Sequence, residues 1–368
     1  MGMIGIVVTA VCIAVIQSVL LGVWSLKRVS YSRRFNATSC YAGDTIELVE
    51  EIANAKPLPI MWLRTESTLD ANLQFGAQLD MRVDQGTTSQ HHKSLFTLMP
   101  YRRIRRRHTI VCASRGVYRL GSVAMSAGDP LGLRTVQRQF AVDGELTVYP
   151  RIVPMADIPL PSRDWQGDLV VKRWIVEDPF LVSGVRSYRY GDPMNQIHWK
   201  ATARTGKLQV YRRDFTSDHR LYLFVNVETA ESMRGVVADT ALIERGISFA
   251  ATLASDAVGK GLTVGFGHNA HSLDRTEGAT IVPAAGGKAH LNVLLETMAR
   301  MELKHRFMFH DVIAADGRRA VERRDYLFIT AHMSAAIAEQ AAQLKYAGHS
   351  VRVLMLSRNA GEERVIAV

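Results

Sequence analysis

The N-terminal 26 residues form an unbroken apolar segment. Met1–Leu26 contains no charged side chain, and a helix of this length spans the hydrocarbon core of a bilayer. A secretory signal would carry a positive N-terminal region and a small-residue cleavage site, and neither is evident here. The sequence therefore predicts one uncleaved transmembrane helix over residues 1–26.

Short strand-like runs follow over residues 27–150. DTIELVEEI, SLFTLMP and GELTVYP are rich in β-branched and aromatic residues, turns separate them, and no amphipathic helix interrupts them. Several short strands at this spacing are typical of a β-sandwich. His91 and His92 lie between two such runs and are interpreted as loop residues.

The pattern changes after a connector at residues 151–215. Over residues 216–368, the apolar runs RLYLFVNV, LTVGFG, DYLFIT and SVRVLML alternate with helical patterns. Alternation of this kind indicates a parallel sheet covered on both faces, that is, a doubly wound α/β domain. The overall prediction is a membrane-anchored multidomain protein: anchor, β-sandwich, connector and α/β domain.

Charge bears on orientation and partners. The chain carries 45 Lys and Arg against 35 Asp and Glu, a net charge of +10, which favours anionic partners such as lipid headgroups, nucleic acid or acidic proteins. Lys27, Arg28, Arg33 and Arg34 are the first charges after the apolar segment. Because basic residues stay on the cytoplasmic side, we expect a single-pass protein of the cell inner membrane with its bulk in the cytoplasm.

Five arginines lie between Arg102 and Arg107. We interpret them first as a solvated edge strand protected from aggregation, and second as a basic patch facing anionic membrane lipid. No recognised nucleic-acid module accompanies them, so no nucleic-acid partner is expected.

The three cysteines, Cys12, Cys40 and Cys112, are widely separated in sequence. Their odd number does not suggest a disulfide framework, and their spacing does not match a metal site. Both features agree with a reducing cytoplasm.

The segment RYGDPMNQIHWKATARTGKLQVYRRD, Arg189–Asp214, concentrates chemically versatile side chains. Asp192 followed by Pro193 predicts a helix start, and Gly206 predicts its end, so the helix is placed at Pro193–Thr205. A strand, KLQVYRRD, follows it.

Two interpretations of this segment remain open. In the functional one, a cationic grip for a carboxylate or phosphate is formed by Arg186, Arg189, Lys200 and Arg204, assisted by Tyr188 and His198. In the structural one, which we favour, Ile197 and Trp199 pack inside, Asp192 caps the helix and the arginines tie two domains together. The segment contains no nucleophile–base–orienter set, so no catalytic residue is assigned.

Two sequence blocks carry a family resemblance. VRSYRYGDPMNQIHWKATARTGKLQVYRRD resembles the signature of the bacterial domain-of-unknown-function-58 proteins, G-x-R-x-Y-x-x-G-D followed by I-x-W-K-x-x-A-R. The matching residues are Gly184, Arg186, Tyr188, Gly191, Asp192, Ile197, Trp199, Lys200, Ala203 and Arg204. The resemblance implies a von Willebrand factor A-like α/β domain and partnership with a MoxR-type AAA+ ATPase. This chain has no G-x-x-x-x-G-K-[ST] loop, so it would not be the ATPase itself.

The resemblance also raises the question of an ion site. A-type domains often bind a divalent cation through D-x-S-x-S after the first strand, whereas NVETAESM here places Glu228 and Ala230 at the first two of those positions and Ser232 at the third. The family-like T-D-G is replaced by Thr330–Ala331. We therefore expect no cofactor and either no metal site or a weak divalent-cation site formed by Glu228 and Ser232.

The function expected from the sequence is a non-enzymatic, membrane-anchored adaptor for a MoxR-type ATPase that also contacts membrane lipid. Its partner-binding or structural residues are Arg186, Tyr188, Gly191, Asp192, Trp199, Lys200 and Arg204. The alternative is an enzyme or binding protein that acts on an anionic envelope-related ligand through Arg186, Asp192, His198 and Arg204.

Overall fold

A computed structural model describes residues 2–75, 82–85, 89–129, 134–159, 177–188, 194, 197–215, 220–229, 239–273, 279–358 and 364–367. The chain divides into two compact units, Met1–Arg151 and Ile152–Val368. The residues that the sequence singled out but that lie outside the described residues are Arg189, Gly191, Asp192, Ala230 and Ser232.

The N-terminal apolar segment is a helix, as predicted. Helix α1 (Gly2–Trp24) is long and apolar enough to cross a membrane, and its side chains are almost all exposed. At its end, the Lys27 ammonium lies 5.2 Å from the centre of the Trp24 ring. Leu26 and Val29 are already buried in the core of the first unit. The helix thus passes within a few residues into the folded β-structure.

The first unit is rich in strands, as predicted. Its strands are β1 (Val29–Phe35), β2 (Ser39–Tyr41), β3 (Thr45–Asn54), β4 (Ile60–Asp70), β5 (Leu73–Phe75), β6 (Arg82–Gln85), β7 (Ser89–Leu98), β8 (Arg103–Cys112), β9 (Gly116–Arg119), β10 (Val123–Gly128), β11 (Thr135–Phe140) and β12 (Glu145–Tyr149). They form sheets in the orders β1-β3-β8-β5, β11-β10-β4-β7-β6 and β2-β12-β9.

The sheets of this unit share a core. Ile52 of β3 packs in one cluster with Leu63 of β4 and Met125 of β10, which joins the four-stranded and five-stranded sheets as a sandwich. A second cluster contains Leu48 of β3 together with Leu146 of β12. Burial of these apolar side chains is the main favourable contribution to the stability of the sandwich.

Between the two clusters, the interior contains a polar layer. Glu50 is buried on β3, where its Oε1 accepts a hydrogen bond of 2.7 Å from Tyr31 Oη and its Oε2 lies 3.4 Å from His108 Nε2. Arg33 Nη1 donates to Ser67 Oγ at 2.7 Å. Buried charge is tolerated only when it is paired and hydrogen bonded in this way.

His92 belongs to the same layer. His91 and His92 lie within β7, so their interpretation as loop residues was wrong, because the alternation of buried and exposed residues continues through them. The His92 ring lies against Phe75, with 4.2 Å between ring centres. Neither of its ring nitrogens has a hydrogen-bond partner within the described part of the chain.

The arginine run lies on β8, which pairs with β3 along its length and with β5 at Ile110–Cys112. Among the described residues, Arg103–Arg107 therefore pair on one side only, with β3, which agrees with the predicted edge position of the run. The run is matched in charge by the glutamates of β3, since Arg103 lies 3.1 Å from Glu51 and Arg107 lies 3.8 Å from Glu47. Each exposed pair contributes little to stability, and together the pairs neutralise part of the positive charge of the run.

In the second unit, a 3-10 turn at Met155–Asp157 precedes β13 (Glu177–Ser187), which pairs with β14 (Gln209–Phe215). The remaining strands are β15 (Arg220–Val225), β16 (Thr263–His268), β17 (Ala270–Ser272), β18 (Thr280–Ala285), β19 (Met301–His305), β20 (Arg324–Thr330), β21 (Ser350–Met355) and β22 (Arg364–Ala367). The helices are α2 (Trp199–Thr205), α3 (Thr240–Gly259), α4 (Lys288–Ala299), α5 (Phe309–Gly317) and α6 (Ala335–Tyr346).

The main sheet of this unit has the order β18-β16-β15-β20-β21-β22, in which the four central strands are parallel and the two edge strands antiparallel. Helices cover both faces. Helix α3 packs so closely on one face that a Cβ on Gly246 would lie 2.7 Å from Leu356 Cδ1. On the other face, Phe224 and Phe328 share a cluster with Phe309 of α5 and Ile337 of α6.

The polar layer of the sandwich generates a prediction about pH. Burial, reinforced by Arg33 and His108, lowers the pKa of His92 from 6.5 to about 4. In the unfolded chain His92 takes up a proton below about pH 6.5, whereas in the folded chain it stays neutral down to about pH 4. Acidification through this window therefore favours unfolding, by on the order of 2 kcal/mol between pH 7 and pH 4.

Replacing His92→Gln should remove this part of the pH dependence, measured by chemical unfolding in detergent at a series of pH values. The exposed neighbour on the same strand supplies the control, because His91→Gln should leave the pH profile as in the wild type. Parallel pH profiles for the wild type and His92→Gln would contradict the assignment.

Candidate functional site

The two signature blocks meet at one residue, Val210 of β14. On one side, Val210 pairs with Arg186 of β13, and on the other it forms a bridge with Ile197. The Tyr188 amide donates to Leu208 O at 3.0 Å, and the His198 amide donates to Gln209 O at 2.8 Å. Backbone pairing through β14 therefore explains why two blocks separated in sequence act as one structural feature.

The helix of this region, α2, is shorter than predicted. Within the described residues it begins at Trp199, with His198 rather than Asp192 as its N-cap, because His198 Nδ1 accepts a hydrogen bond of 3.0 Å from the Ala201 amide. Its predicted end is confirmed, since Gly206 adopts the left-handed conformation, with φ of 67°, that closes a helix.

Trp199 was expected to pack inside, and this expectation was wrong. Its side chain is 66% exposed, whereas Ile197 is buried. The difference follows from register, because Ile197 pairs with the buried Val210 and Trp199 opens the helix that leaves this pairing. Lys200 and Arg204, one turn apart on α2, are exposed as well.

Other exposed apolar side chains lie on the same segments. They are Val185 of β13, Met194 before the helix and Leu208 after it. No acidic residue occurs from Ile197 to Val210. We call the group formed by Met194, Trp199, Lys200, Arg204 and Leu208 the signature surface. Exposed tryptophan and arginine beside aliphatic side chains are typical of the centres of protein–protein interfaces.

A second candidate site lies at the carboxyl ends of the central strands. Chain connections diverge to either side of β15, and in doubly wound sheets ligands bind at such a switch point. Asn226 follows β15, and its Nδ2 donates to the Thr330 Oγ1 at the end of β20 at 2.9 Å. Asn269 follows β16, and its Nδ2 donates to Asn226 Oδ1 at 2.9 Å.

Glu228 lies at the centre of this cluster and is buried. Its Oε1 accepts hydrogen bonds from Asn269 Nδ2 at 3.1 Å and from the Phe309 amide at 2.8 Å, and His305 Nε2 lies 3.1 Å away. The Phe309 amide is the first of α5, so the carboxylate also faces the positive end of that helix. Glu228 thus links β15, the β16–β17 loop, β19 and α5.

Of the two residues of the weak divalent-cation site suggested by the sequence, only Glu228 lies within the described residues. Its Oε1 already accepts N–H donors from Asn269 and Phe309, whereas a divalent cation prefers a shell of oxygen ligands. Within the described residues, no group of three His, Cys, Asp or Glu side chains is placed to hold a metal. No step of the proposed function is therefore assigned to a metal ion.

Sequence reasoning found Glu228 but missed Asn226, Asn269 and His305. The signal for the two asparagines was present, because each directly follows an apolar strand whose carboxyl end points to the same edge of the sheet. His305 gave no such signal, since it enters the cluster through the short pairing of β19 with β17.

Two surface pockets in the described part of the chain lie apart from both sites. One, of about 360 Å³, lies between β18 and α4 and is lined by Val282, Val293 and Arg300, among others. The other, of about 420 Å³, lies between α5 and α6 beside Gln340 and Gln343. No signature residue lines either pocket.

A protein-family model matches a segment of the chain that contains both candidate sites. Residues 184–358, somewhat under half of the chain, match the model of "Protein of unknown function DUF58". This match supports the DUF58 family. The match begins at Gly184 of the first signature block and extends beyond β21. It therefore contains both the signature surface and the Glu228 cluster. A comparison with curated proteins finds no match.

Solved structures similar to about a third of the chain include two cohesins. A non-cellulosomal cohesin from Archaeoglobus fulgidus is 10% identical over 32% of this chain and 91% of its own, with a TM-score of 0.25. A ScaB cohesin from Pseudobacteroides cellulosolvens is 12% identical over 34% and 95%, with a TM-score of 0.22. The PapD-like domain 7 of human CEP192 is 15% identical over 34% and 88%, also at 0.22. TM-scores this low carry no argument about function.

The Glu228 cluster leads to a stability prediction. Glu228→Ala would leave the buried Asn269 amide and the Phe309 N–H without their acceptor, so we expect the free energy of unfolding to fall by about 3 kcal/mol. Glu339→Ala, at an exposed glutamate of α6, should change it by less than about 0.5 kcal/mol.

A second prediction for the Glu228 cluster concerns metal binding. Because Glu228 Oε1 already accepts hydrogen bonds from the protein, neither EDTA nor millimolar Mg²⁺ should change the thermal unfolding temperature of the wild-type protein. A rise with Mg²⁺ that Glu228→Ala abolishes would show that the cluster opens to take a cation.

Proposed function

We propose that this protein is a membrane-anchored adaptor of the cell inner membrane, with its bulk in the cytoplasm and the signature surface as its docking site. The observation that carries the proposal is the exposure of Trp199, Lys200 and Arg204 on the short helix α2. Exposing a large aromatic side chain to water costs solvation free energy that a partner would recover on binding. Helix α1 supplies a segment able to act as the membrane anchor.

The charge of the signature surface indicates the chemistry of the partner. Lys200 and Arg204 stand on the exposed face of α2, and Lys207 follows directly. With no acidic residue among them, they favour a partner that offers carboxylates around an apolar pocket deep enough for an indole ring. A MoxR-type AAA+ ATPase, the partner implied by the family resemblance, is the proposed occupant.

The α/β unit supports an adaptor of the von Willebrand factor A-like class. Its sheet places the first strand of the unit's main sheet, β15, at the centre, with β16 and β18 on one side and β20, β21 and β22 on the other. In this class, partners commonly bind at the end of the first strand through a shared ion. Here Glu228 is buried and engaged at that position, which favours the signature surface as the place where a partner binds.

The enzymatic alternative draws less support from the described residues. Its acid–base candidates are His198 and Asp192, of which Asp192 lies outside the described residues and His198 uses Nδ1 to cap α2. A general base needs that lone pair for the proton it abstracts.

The docking proposal is tested by capture of the ATPase from the native membrane. Detergent-solubilised wild-type protein should recover a MoxR-type ATPase in an ATP- and Mg²⁺-dependent manner, read by mass spectrometry. The double variant Trp199→Ala/Arg204→Glu should reduce the recovery at least tenfold, because it removes the indole and reverses a charge.

Both substituted side chains are exposed, so the thermal unfolding temperature of the double variant should stay within about 2 °C of that of the wild type. Tyr346→Ala, which removes a still more exposed aromatic side chain from α6, is the matched control and should leave capture unchanged. Equal capture by the wild type and the double variant would remove the signature surface from the proposal, and failure to capture any ATPase would remove the partner.

A further inference from the structure

Two cysteines that the sequence places 72 residues apart are in contact. Cys40 Sγ donates to Cys112 Sγ at 3.4 Å in the core of the sandwich. The separation of these two cysteines in sequence thus gave no sign of their contact in the fold. Cys12, the third cysteine of the chain, is exposed on α1.

The backbone around the two cysteines is already fixed. Gly43, three residues after Cys40, donates its amide to Cys112 O at 2.7 Å, and the Cys112 amide donates to Asp44 O at 3.0 Å. Cys40 is held on its other side by the pairing of β2 with β12. Hydrogen-bonded backbone segments thus hold the two sulfurs in contact. The distance between the sulfurs would have to shorten by about 1.4 Å to reach the length of a disulfide bond, about 2.05 Å.

The position of the pair in the sheets gives the link a structural consequence. β2 is a three-residue strand at the edge of its sheet, and β8 belongs to the four-stranded sheet. A bond between Cys40 and Cys112 would tie these two sheets together covalently. The thiol of Cys112 also has a lowered pKa, because Cys40 donates a hydrogen bond to its sulfur, and the thiolate is the reactive form.

We propose that Cys40 and Cys112 are a redox-modified pair that forms an intramolecular disulfide when the protein meets a peroxide. A small oxidant is required by the burial of both thiols, and hydrogen peroxide is of suitable size. The thiolate of Cys112 attacks one peroxide oxygen, the O–O bond breaks, and the released hydroxide takes up the thiol proton to give water.

The resulting sulfenic acid on Cys112 is then attacked by Cys40. The S–S bond forms as the S–O bond breaks, and the departing hydroxide takes up the proton of Cys40 to give a second water. Two thiols are oxidised and one peroxide is reduced, so the step needs no other reactant. A dithiol such as dithiothreitol reverses it by thiol–disulfide exchange.

In a reducing cytoplasm the pair would rest as thiols and form the bond only under oxidative conditions. The bond closes a long loop of the sandwich, and such a cross-link restricts the unfolded chain. Oxidation should therefore raise the unfolding temperature of the sandwich by on the order of 10 °C.

The test treats the reduced, folded protein in detergent with hydrogen peroxide, then alkylates the remaining thiols and measures the intact mass. The wild type should lose two hydrogen atoms and retain one alkylatable thiol, and peptide mapping should identify a Cys40–Cys112 cross-link. Cys12→Ser should show the same loss, whereas Cys40→Ala should show none.

The change in unfolding temperature provides a second readout. It should rise on oxidation of the wild type and of Cys12→Ser, return after dithiothreitol, and stay constant for Cys40→Ala. Addition of two or three oxygen atoms to Cys40 or Cys112 without a cross-link would overturn the proposal, as would a folded wild-type protein that keeps three alkylatable thiols while the same peroxide cross-links the unfolded chain.

Discussion

The burial of the Glu228 carboxylate is the constraint on which the organisation of the α/β unit depends. An ionised carboxylate removed from water must gain donors, and the sheet supplies them from three directions: Asn269 after β16, Phe309 at the start of α5 and His305 at the end of β19. Asn226 then positions Asn269 and reaches Thr330. One side chain thereby links the ends of two strands, a loop and the start of a helix. Displacing any of these elements would leave a buried polar group without a hydrogen-bond partner.

The same constraint bears on where the protein meets a partner. Glu228 lies at the edge of the sheet where ligands commonly bind. Its Oε1 is already occupied by hydrogen bonds from its own chain, which makes it less available to a cation or to another protein. The signature surface has the opposite character. Trp199 is exposed, so packing in the core does not account for a tryptophan at this position, whereas burial against Val210 accounts for the neighbouring Ile197.

The features that were predictable from sequence are those fixed by local pattern. The apolar run of α1, the strands β3 and β15, and the stop at Gly206 each follow from residues within one element. The edge strand β18 was missed because its antiparallel pairing with β16 joins segments that are separated in sequence, and because Pro283 weakens the strand pattern. The contact between Cys40 and Cys112 was missed for a related reason, since it depends on how two sheets stack.

Errors of another kind came from interpreting side chains one at a time. Trp199 was assigned to the interior because it is large and apolar, yet pairing with Val210 selects Ile197 for burial and leaves the first residue of α2 outside. The arginines of β8 were assigned to a solvated edge because they are charged, without the glutamates that β3 supplies in register opposite them. In both cases the paired strand determines the environment of the side chain. Burial can therefore be inferred from charge and hydropathy only once strand register is known. Exposure of an apolar residue after register is accounted for is therefore stronger evidence for a binding surface than its residue type alone.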